Sequence, residues 1–406
     1  MVPGHAHRFD SDLEGSPIEV AEAAIAGMRV PLYTGEFWTS GQRQACALHE
    51  ISYRACFKPQ LPAYFIRRLT REGDRVYDPF SGRGTTALEA ALMRRVPLAN
   101  DISPLSALLA QPRLSPPSLA FLESRLDRIP EEAPTPPEAD VDLSMFFHPE
   151  TLREILRLRA YLERREASGQ EDDIDSWIRM VATNRLTGHS PGFFSVYTLP
   201  PNQAVSADSQ KKINAKRNQQ PTYRDTRALI LRKSRQLLKG LTPSQTETLT
   251  SLKSFARFFT NDARRTPGIA EGSVQLTVTS PPFLDVVQYA DDNWLRCWFN
   301  NLDVRGIGSG ITMARTVESW SGVMGDVFRE LHRITAPGGH VAFEVGEVRS
   351  GRVKLEEAVV PLGLQAGFDC VALLLNAQPF TKTANIWGIS NNRSGTNSNR
   401  IVVFRR

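Results

Sequence analysis

The sequence predicts an α/β fold with a doubly wound sheet, and three observations carry that prediction. Two short apolar runs, Arg75–Tyr77 and Val96–Ala99, flank a glycine-bearing turn and a helix-forming stretch, Thr85–Met93. A third apolar run, Val274-Gln275-Leu276-Thr277-Val278, stops abruptly at Thr279-Ser280-Pro281-Pro282-Phe283. Between these, residues 145–255 carry apolar residues at helical spacing. Short strands alternating with helical segments build sheets covered by helices on both faces.

Taken in order, residues 1–44 read as an irregular N-terminal arm, with Phe37 and Trp38 as its anchors. Residues 45–125 form the first half of the α/β domain. Residues 126–144 contain Pro130-Glu131-Glu132-Ala133-Pro134-Thr135-Pro136-Pro137-Glu138, a proline- and acid-rich stretch that predicts a surface linker. Residues 145–255 form a mainly helical insertion: Leu152, Ile155, Leu156 and Leu158 recur on one face, as do Leu229, Leu231, Leu237 and Leu238. Within it, Thr187–Phe194 is a glycine-, proline- and aromatic-rich loop, suited either to reaching bases in a groove or to packing as a connection. Residues 256–406 complete the sheet, with Asn391–Asn397 as a turn before a closing strand, Ile401–Phe404.

The chemistry gathers where strands end. After the first strand, Pro79 stops the ladder, and Gly82 and Gly84 permit a tight turn into a helix beginning near Thr85. Glycine lets backbone approach a ligand closely, and a helix N-terminus offers unpaired N–H groups to a negative group. The second strand ends in Asn100-Asp101, a carboxylate placed to accept hydrogen bonds from a ribose. Gly82-x-Gly84-x-x-Ala87 with Asp101 downstream also satisfies the dinucleotide fingerprint, which keeps a nicotinamide enzyme open on this segment alone. Against it stand Asp78-Pro79-Phe80 at the strand end and the Pro-Pro turn, which has no job in hydride transfer.

Two consecutive prolines cannot continue a central strand, because neither donates to the ladder. The chain leaves the sheet at Ser280 as a stiff turn that presents carbonyls, a hydroxyl and the Phe283 ring. Those groups suit a flat base bearing an exocyclic amine, with acceptors for its N–H bonds and a ring to stack on.

Composition agrees with a nucleic-acid enzyme. The 406 residues are 41% hydrophobic and 23% charged, which is ordinary for globular proteins. No apolar run approaches the ~18 residues of a membrane span, and Met1–His5 lacks a signal peptide's layout, so a cytoplasmic protein without membrane association is expected. Cys46, Cys56, Cys297 and Cys370 lack Cys-x-x-Cys spacing, so buried free thiols and no metal are expected. None lies beside the Pro-Pro turn, which argues against a thiolate nucleophile attacking a base there. The net charge of +5 is concentrated: Val205–Gly240 holds ten basic residues against Asp208 and Asp225. Lys211, Lys212, Lys216, Arg217, Arg224 and Arg227 are the candidate phosphate contacts.

The stretches Asp78–Thr86, Asn100-Asp101, Asn261-Asp262-Ala263-Arg264 and Thr279–Phe283 resemble the amino-methyltransferases of DNA, which modify N4 of cytosine or N6 of adenine. His49–Pro59 resembles that family's N-terminal cofactor motif, and Ala336–Phe343 the turn and strand after the catalytic helix. Together they cover roughly residues 45–110 and 255–406. The resemblance implies a mostly parallel, seven-stranded methyltransferase sheet of Rossmann type, S-adenosylmethionine as cofactor and double-stranded DNA as partner, and it admits a restriction endonuclease partner. It implies that Asp78, Pro79, Phe80, Gly82, Gly84, Thr85 and Thr86 hold the methionine end of the cofactor, Asp101 its ribose and Asp262 its adenine, with Phe57 and Lys58 closing the site. Ser280, Pro281, Pro282 and Phe283 would hold the target amine, and residues 145–255 would read the DNA. Serine before Pro-Pro is typical of the cytosine-N4 enzymes, with adenine N6 and guanine N2 in RNA as alternatives, and a non-catalytic DNA-binding subunit as the alternative from another class. One departure is that Asn261-Asp262 stands after the insertion, directly before the catalytic strand.

Overall fold

The computed structural model describes residues 9–12, 15–38, 45–53, 56–132, 138–199, 204–282, 289–311, 314, 316–348, 353–377 and 398–406. Its strands are β1 (Glu19–Ile25), β2 (Met28–Gly35), β3 (Arg75–Asp78), β4 (Val96–Asn100), β5 (Arg257–Phe259), β6 (Val274–Thr279), β7 (Thr335–Val345), the short β8 (Glu347–Val348) and β9 (Val353–Lys354), β10 (Asp369–Ala377) and β11 (Ser398–Arg405). The helices are α1 (Gln60–Leu69), α2 (Thr85–Leu92), α3 (Pro104–Ala110), α4 (Leu119–Glu132), α5 (Pro149–Ala167), α6 (Asp173–Arg185), α7 (Ala207–Arg217), α8 (Thr226–Leu237), α9 (Pro243–Leu252), α10 (Tyr289–Phe299), α11 (Val304–Gly310), α12 (Val317–Ile334) and α13 (Leu355–Gln365). None of the described helices is long and apolar enough to cross a membrane.

The main sheet runs in the order β1-β2-β10-β11-β7-β6-β3-β4-β5. β5, β4, β3, β6 and β7 are mutually parallel, whereas β11 lies antiparallel between β7 and β10. From β3 the chain steps outward through β4 and β5, then returns to place β6 on the other side of β3. That reversal puts a crevice at the carboxyl ends of β3 and β6, where open α/β sheets bind ligands. Seven strands make the expected doubly wound sheet, and the β1–β2 hairpin extends it to nine.

The hairpin corrects the irregular arm expected over residues 1–44. Its strand Glu19–Ile25 is alanine-rich and lacks the β-branched alternation that marks a strand in sequence. Its turn is Ala26-Gly27, both at positive φ, the geometry whose twist suits two-residue hairpins. Phe37 and Trp38, which follow it, are buried against Tyr64.

Alternation along the strands divides the core between two faces. Val76, Leu276, Val278, Ala342, Ile401 and Val403 pack with Tyr64 and Phe65 of α1 on one face. Tyr77, Val341, Phe343, Val402 and Phe404 pack with α12 and α13 on the other. A third core joins α4 to α9 with Leu48, Ile51, Leu88, Ala91 and Phe299. The helices of residues 145–255 therefore bury their apolar faces against α2 and α10 of the α/β domain. The expected linker is also revised: α4 continues through Pro130 to Glu132, because Leu122, Leu126 and Ile129 are buried in this core. Residues 133–137 of that stretch, and Asn391–Asn397, lie outside the described residues.

Candidate functional site

Asp78 ends β3 and is buried. Its Oδ1 accepts hydrogen bonds from Thr279 Oγ1 at 2.6 Å and from the Phe80 amide at 3.1 Å. Burial pushes this carboxyl up to about 7, against the pull of hydrogen bonds from Thr279, Phe80 and Thr86. Thr86 Oγ1 donates to the Val278 carbonyl at 3.1 Å, so the first turn of α2 is also tied to β6. The end of the strand that leads into Pro-Pro is thus fastened to the glycine turn from two directions.

The turn itself is bracketed by Asp101. Its Oδ2 accepts from the Gly82 amide at 2.8 Å and its Oδ1 from the Ser103 amide at 2.9 Å, while burial raises its pKa to about 6. Gly82 and Gly84 both adopt positive φ. Protein atoms lie close to both glycines. A Cβ at Gly84 would lie 2.4 Å from Ala110 Cβ, so its smallness lets α3 pack on the turn; a Cβ at Gly82 would meet the Tyr53 ring at 3.4 Å and the Cys56 sulfur at 3.6 Å.

Asn100 fastens three strand ends together. Its amide donates to the carbonyls of Pro79 at 3.2 Å and Asn261 at 3.0 Å, and its carbonyl accepts from the Asn261 amide at 3.0 Å. This brings Asn261, and with it Asp262, expected for the adenine, to the ends of β3 and β4. The Asp262 carboxylate grips the Arg264 guanidinium, with Nε at 2.9 and 3.0 Å from its two oxygens, which holds its pKa below the usual range.

Two arginines absent from the sequence reading hold the segment Leu48–Phe57 over the turn. Arg83 donates to the Ile51 carbonyl at 2.9 Å and the Phe57 carbonyl at 3.5 Å. Arg113, fully buried, donates to the carbonyls of Leu109, Leu48 and Arg83, and burial followed by the nearby Arg83 charge lowers its pKa to about 9. No local signal marks Arg113; it acts from beyond α3. Phe57 packs against the α1-side core, and Lys58 is exposed. His49 is a buried partner of Glu89 at 2.6 Å, a structural pair.

Pro281 is buried, Ser280 and Pro282 are half-buried, and Phe283 lies outside the described residues. Trp320 of α12, buried in the core, donates from Nε1 to the Pro282 carbonyl at 2.9 Å. A lone tryptophan on an amphipathic helix gave no sequence signal for this contact.

The basic candidates fall into two groups. Lys211, Lys212, Lys216 and Arg217 are exposed on α7, with the Arg217 guanidinium 3.8 Å over the Tyr197 ring. Arg224 is half-buried, and Arg227 pairs with Asp127 at 2.5 Å and Glu123 at 3.4 Å on α4. The start of α7 is pinned to α10, the helix after the Pro-Pro turn: the Ala204 amide donates to the Asp292 carbonyl at 3.1 Å, and Trp294 Nε1 to the Val205 carbonyl at 3.1 Å. In the loop 187–194, Phe193 and Phe194 are buried while His189, Ser190 and Pro191 are exposed. Its aromatic half is therefore a packed connection. All four cysteines are free, and only Cys297 is fully buried, where all four were expected to be.

The strand order, with β11 antiparallel beside β7, gives the mostly parallel, doubly wound, seven-stranded sheet expected from the sequence. Residues 31–105 match the family described as DNA methylase. M.MjaII, a type II methyltransferase of Methanocaldococcus jannaschii, is 40% identical over 62 residues, which make up 15% of this chain and 12% of that protein. Among solved structures, the rRNA methyltransferase AviRa of Streptomyces viridochromogenes overlaps 89% of this chain and 90% of its own at 13% identity and a TM-score of 0.35. TrmN of Thermus thermophilus overlaps 87% of this chain and 50% of its own at 15% identity and a TM-score of 0.31. The strand order, rather than these overlaps, establishes the fold.

Proposed function

We propose that this protein is an S-adenosylmethionine-dependent DNA methyltransferase that acts on an exocyclic amine, the N4 amine of cytosine. The single observation that carries the reading is the hydrogen bond from Thr279 to Asp78, which sets the Ser280-Pro281-Pro282 turn beside the glycine turn at the switch point of the sheet. The match of residues 31–105 to the DNA methylase family supports DNA as the substrate.

The residues present fit the cofactor. A buried carboxylate with a raised pKa, Asp78, is stabilised in its charged form by a nearby cation, and S-adenosylmethionine brings an ammonium and a sulfonium. Ser81 Oγ, at the same turn, is buried without a hydrogen-bond partner among the described residues and is available to a ligand. Asp78, Ser81, the Gly82–Gly84 turn and Asp262 would hold the donor, with Asp101 fixing the turn that does so. When bound, the cofactor supplies an electrophilic methyl group.

The protein's own share is positioning. An exocyclic amine is a poor nucleophile because its lone pair is delocalised into the ring. Ser280 and the Pro281 carbonyl accept its two N–H bonds, which favours a tetrahedral nitrogen and aims the lone pair at the donor. Such alignment accounts for a large share of the rate in reactions of this kind. Trp320 holds the Pro282 carbonyl and so fixes the direction of the turn. The base reaches this position by leaving the duplex stack, with Phe283 as its stacking surface. Exposed lysines on α7, tied to α10, offer charge to the phosphate backbone. Ser280 favours cytosine, since serine before Pro-Pro is typical of cytosine-N4 enzymes in the resembled family.

Ser280→Ala tests the reading. The variant is expected to bind S-adenosylmethionine as the parent does, measured by calorimetry, and to lose methyl transfer to DNA. Transfer at the parental rate would remove Ser280 from its assigned role.

A further inference from the structure

Away from the Pro-Pro turn, α6, α8 and the loop between Leu186 and Phe194 enclose a cavity of about 330 Å³. Arg185, Ser190, Gly192, Arg232, Lys233 and Gln236 line it. Arg185 and Lys233 are only 8% and 6% exposed, so two full positive charges sit in its wall largely removed from water.

A buried cation ordinarily requires a paired anion, and this wall supplies few. Among the described residues no carboxylate lies within 4.0 Å of Arg185 or Arg232. Among the same residues Lys233 has one ionic partner, the exposed Glu50 carboxylate at 3.7 Å. The cations instead disfavour one another. Burial and then Arg185 lower the Lys233 pKa to about 8, and burial followed by Arg296 and Arg232 lowers that of Arg185 to about 10.

The arrangement is nevertheless held rigidly. Arg185 lies 4.0 Å over the Phe193 ring and donates from Nε and Nη2 to the carbonyl and side-chain oxygens of Asn184. These bonds use two of its five N–H donors. Arg232 donates to the Pro191 carbonyl at 3.2 Å, and the Gly192 amide donates to Ser190 Oγ at 3.3 Å, which sets the loop across the cavity mouth. A planar guanidinium, an ammonium, a second guanidinium and a hydroxyl converging on one space match the several oxygens of a tetrahedral anion. Asn184 and Arg296 both donate to the Ser52 carbonyl, at 2.9 and 3.1 Å, so the cavity wall is continuous with the segment that covers the glycine turn.

We propose that this cavity is a phosphate site, distinct from the positions of the base and the methyl donor, that receives a single phosphate group. Its source is either a backbone phosphate of nucleic acid or free phosphate, and the test separates the two.

The full chain is titrated with inorganic phosphate against chloride at matched ionic strength, with thermal unfolding and calorimetry as readouts. Arg232→Gln changes an exposed wall residue and Lys233→Met a buried one; S-adenosylmethionine binding in the same samples reports whether each variant is folded. The expected result is a saturable rise in Tm for the parent that weakens at least tenfold in both variants while S-adenosylmethionine binding persists. Duplex DNA binding is then followed against salt. A slope of log K on log[salt] smaller by about one in Arg232→Gln identifies a backbone phosphate as the ligand. An unchanged slope with lost phosphate binding identifies free phosphate. No saturable response to phosphate together with an unchanged slope overturns the proposal. Loss of S-adenosylmethionine binding by the parent would instead count against the function proposed above.

Discussion

Thr279 and Asp78, 201 residues apart in the chain, share a 2.6 Å hydrogen bond at the carboxyl ends of adjacent strands β6 and β3. Everything proposed for this site depends on that junction, because it fixes where the amine-binding turn begins relative to the buried carboxylate.

Thr279→Val keeps the shape of the side chain and removes the donor. A buried acceptor that loses a partner costs about 1–3 kcal/mol, and the remaining Asp78 carboxylate rises further in pKa. The expected outcome is lower stability in urea and weaker S-adenosylmethionine binding by calorimetry. Unchanged values for both would show that the bond carries no weight.

The raised pKa of Asp78 makes stability depend on pH with a definite sign. The folded state holds the proton more tightly than the unfolded chain, whose value is 3.8, so the contribution is fully present below about pH 4 and is lost as pH rises through about 7. Three units correspond to about 4 kcal/mol at most. Ligand-free protein is therefore expected to be more stable at pH 5 than at pH 8 by an amount that Asp78→Asn largely removes, while Asp78→Asn binds the cofactor poorly. Unfolding curves of the two proteins at both pH values check this. An equal pH dependence in parent and variant would assign it elsewhere.

Trp320→Phe keeps most of the packing of a buried ring but leaves the Pro282 carbonyl without its 2.9 Å donor. A loosened turn lowers kcat, on the order of tenfold for about 1.4 kcal/mol of lost alignment, with cofactor affinity unchanged. Single-turnover methylation beside calorimetry separates these effects. A variant that lost both equally would point to a folding defect.

Strand ends were legible in the sequence because proline and glycine punctuate them. Pro79, the Gly82–Gly84 turn and Pro281-Pro282 stand where β3 and β6 stop, whereas the count of seven strands came only from the family resemblance. The hairpin was not legible because Ala21, Ala23 and Ala24 give no strand signal, and its stability comes from parallel pairing with β10 near the other end of the chain. The end of α4 was misread because Pro130 outweighed the Leu122, Leu126 and Ile129 spacing. In the site, Asp78, Asn100 and Asp101 could be found from their positions after strands. Arg113 and Trp320 could not, since each reaches the site through tertiary contacts that leave no local pattern. Basic residues were countable, but only the structure separates exposed Lys211, Lys212 and Lys216 from Arg227, held by Asp127, and Lys233, sunk into a cavity wall.

The most direct measurement is nucleoside analysis of duplex DNA after incubation with the purified protein and S-adenosylmethionine labelled in its methyl group. The account predicts label in N4-methylcytosine. Label in N6-methyladenine in its place would contradict the choice of base drawn from Ser280, and unlabelled DNA beside labelled guanine in structured RNA would contradict the account itself.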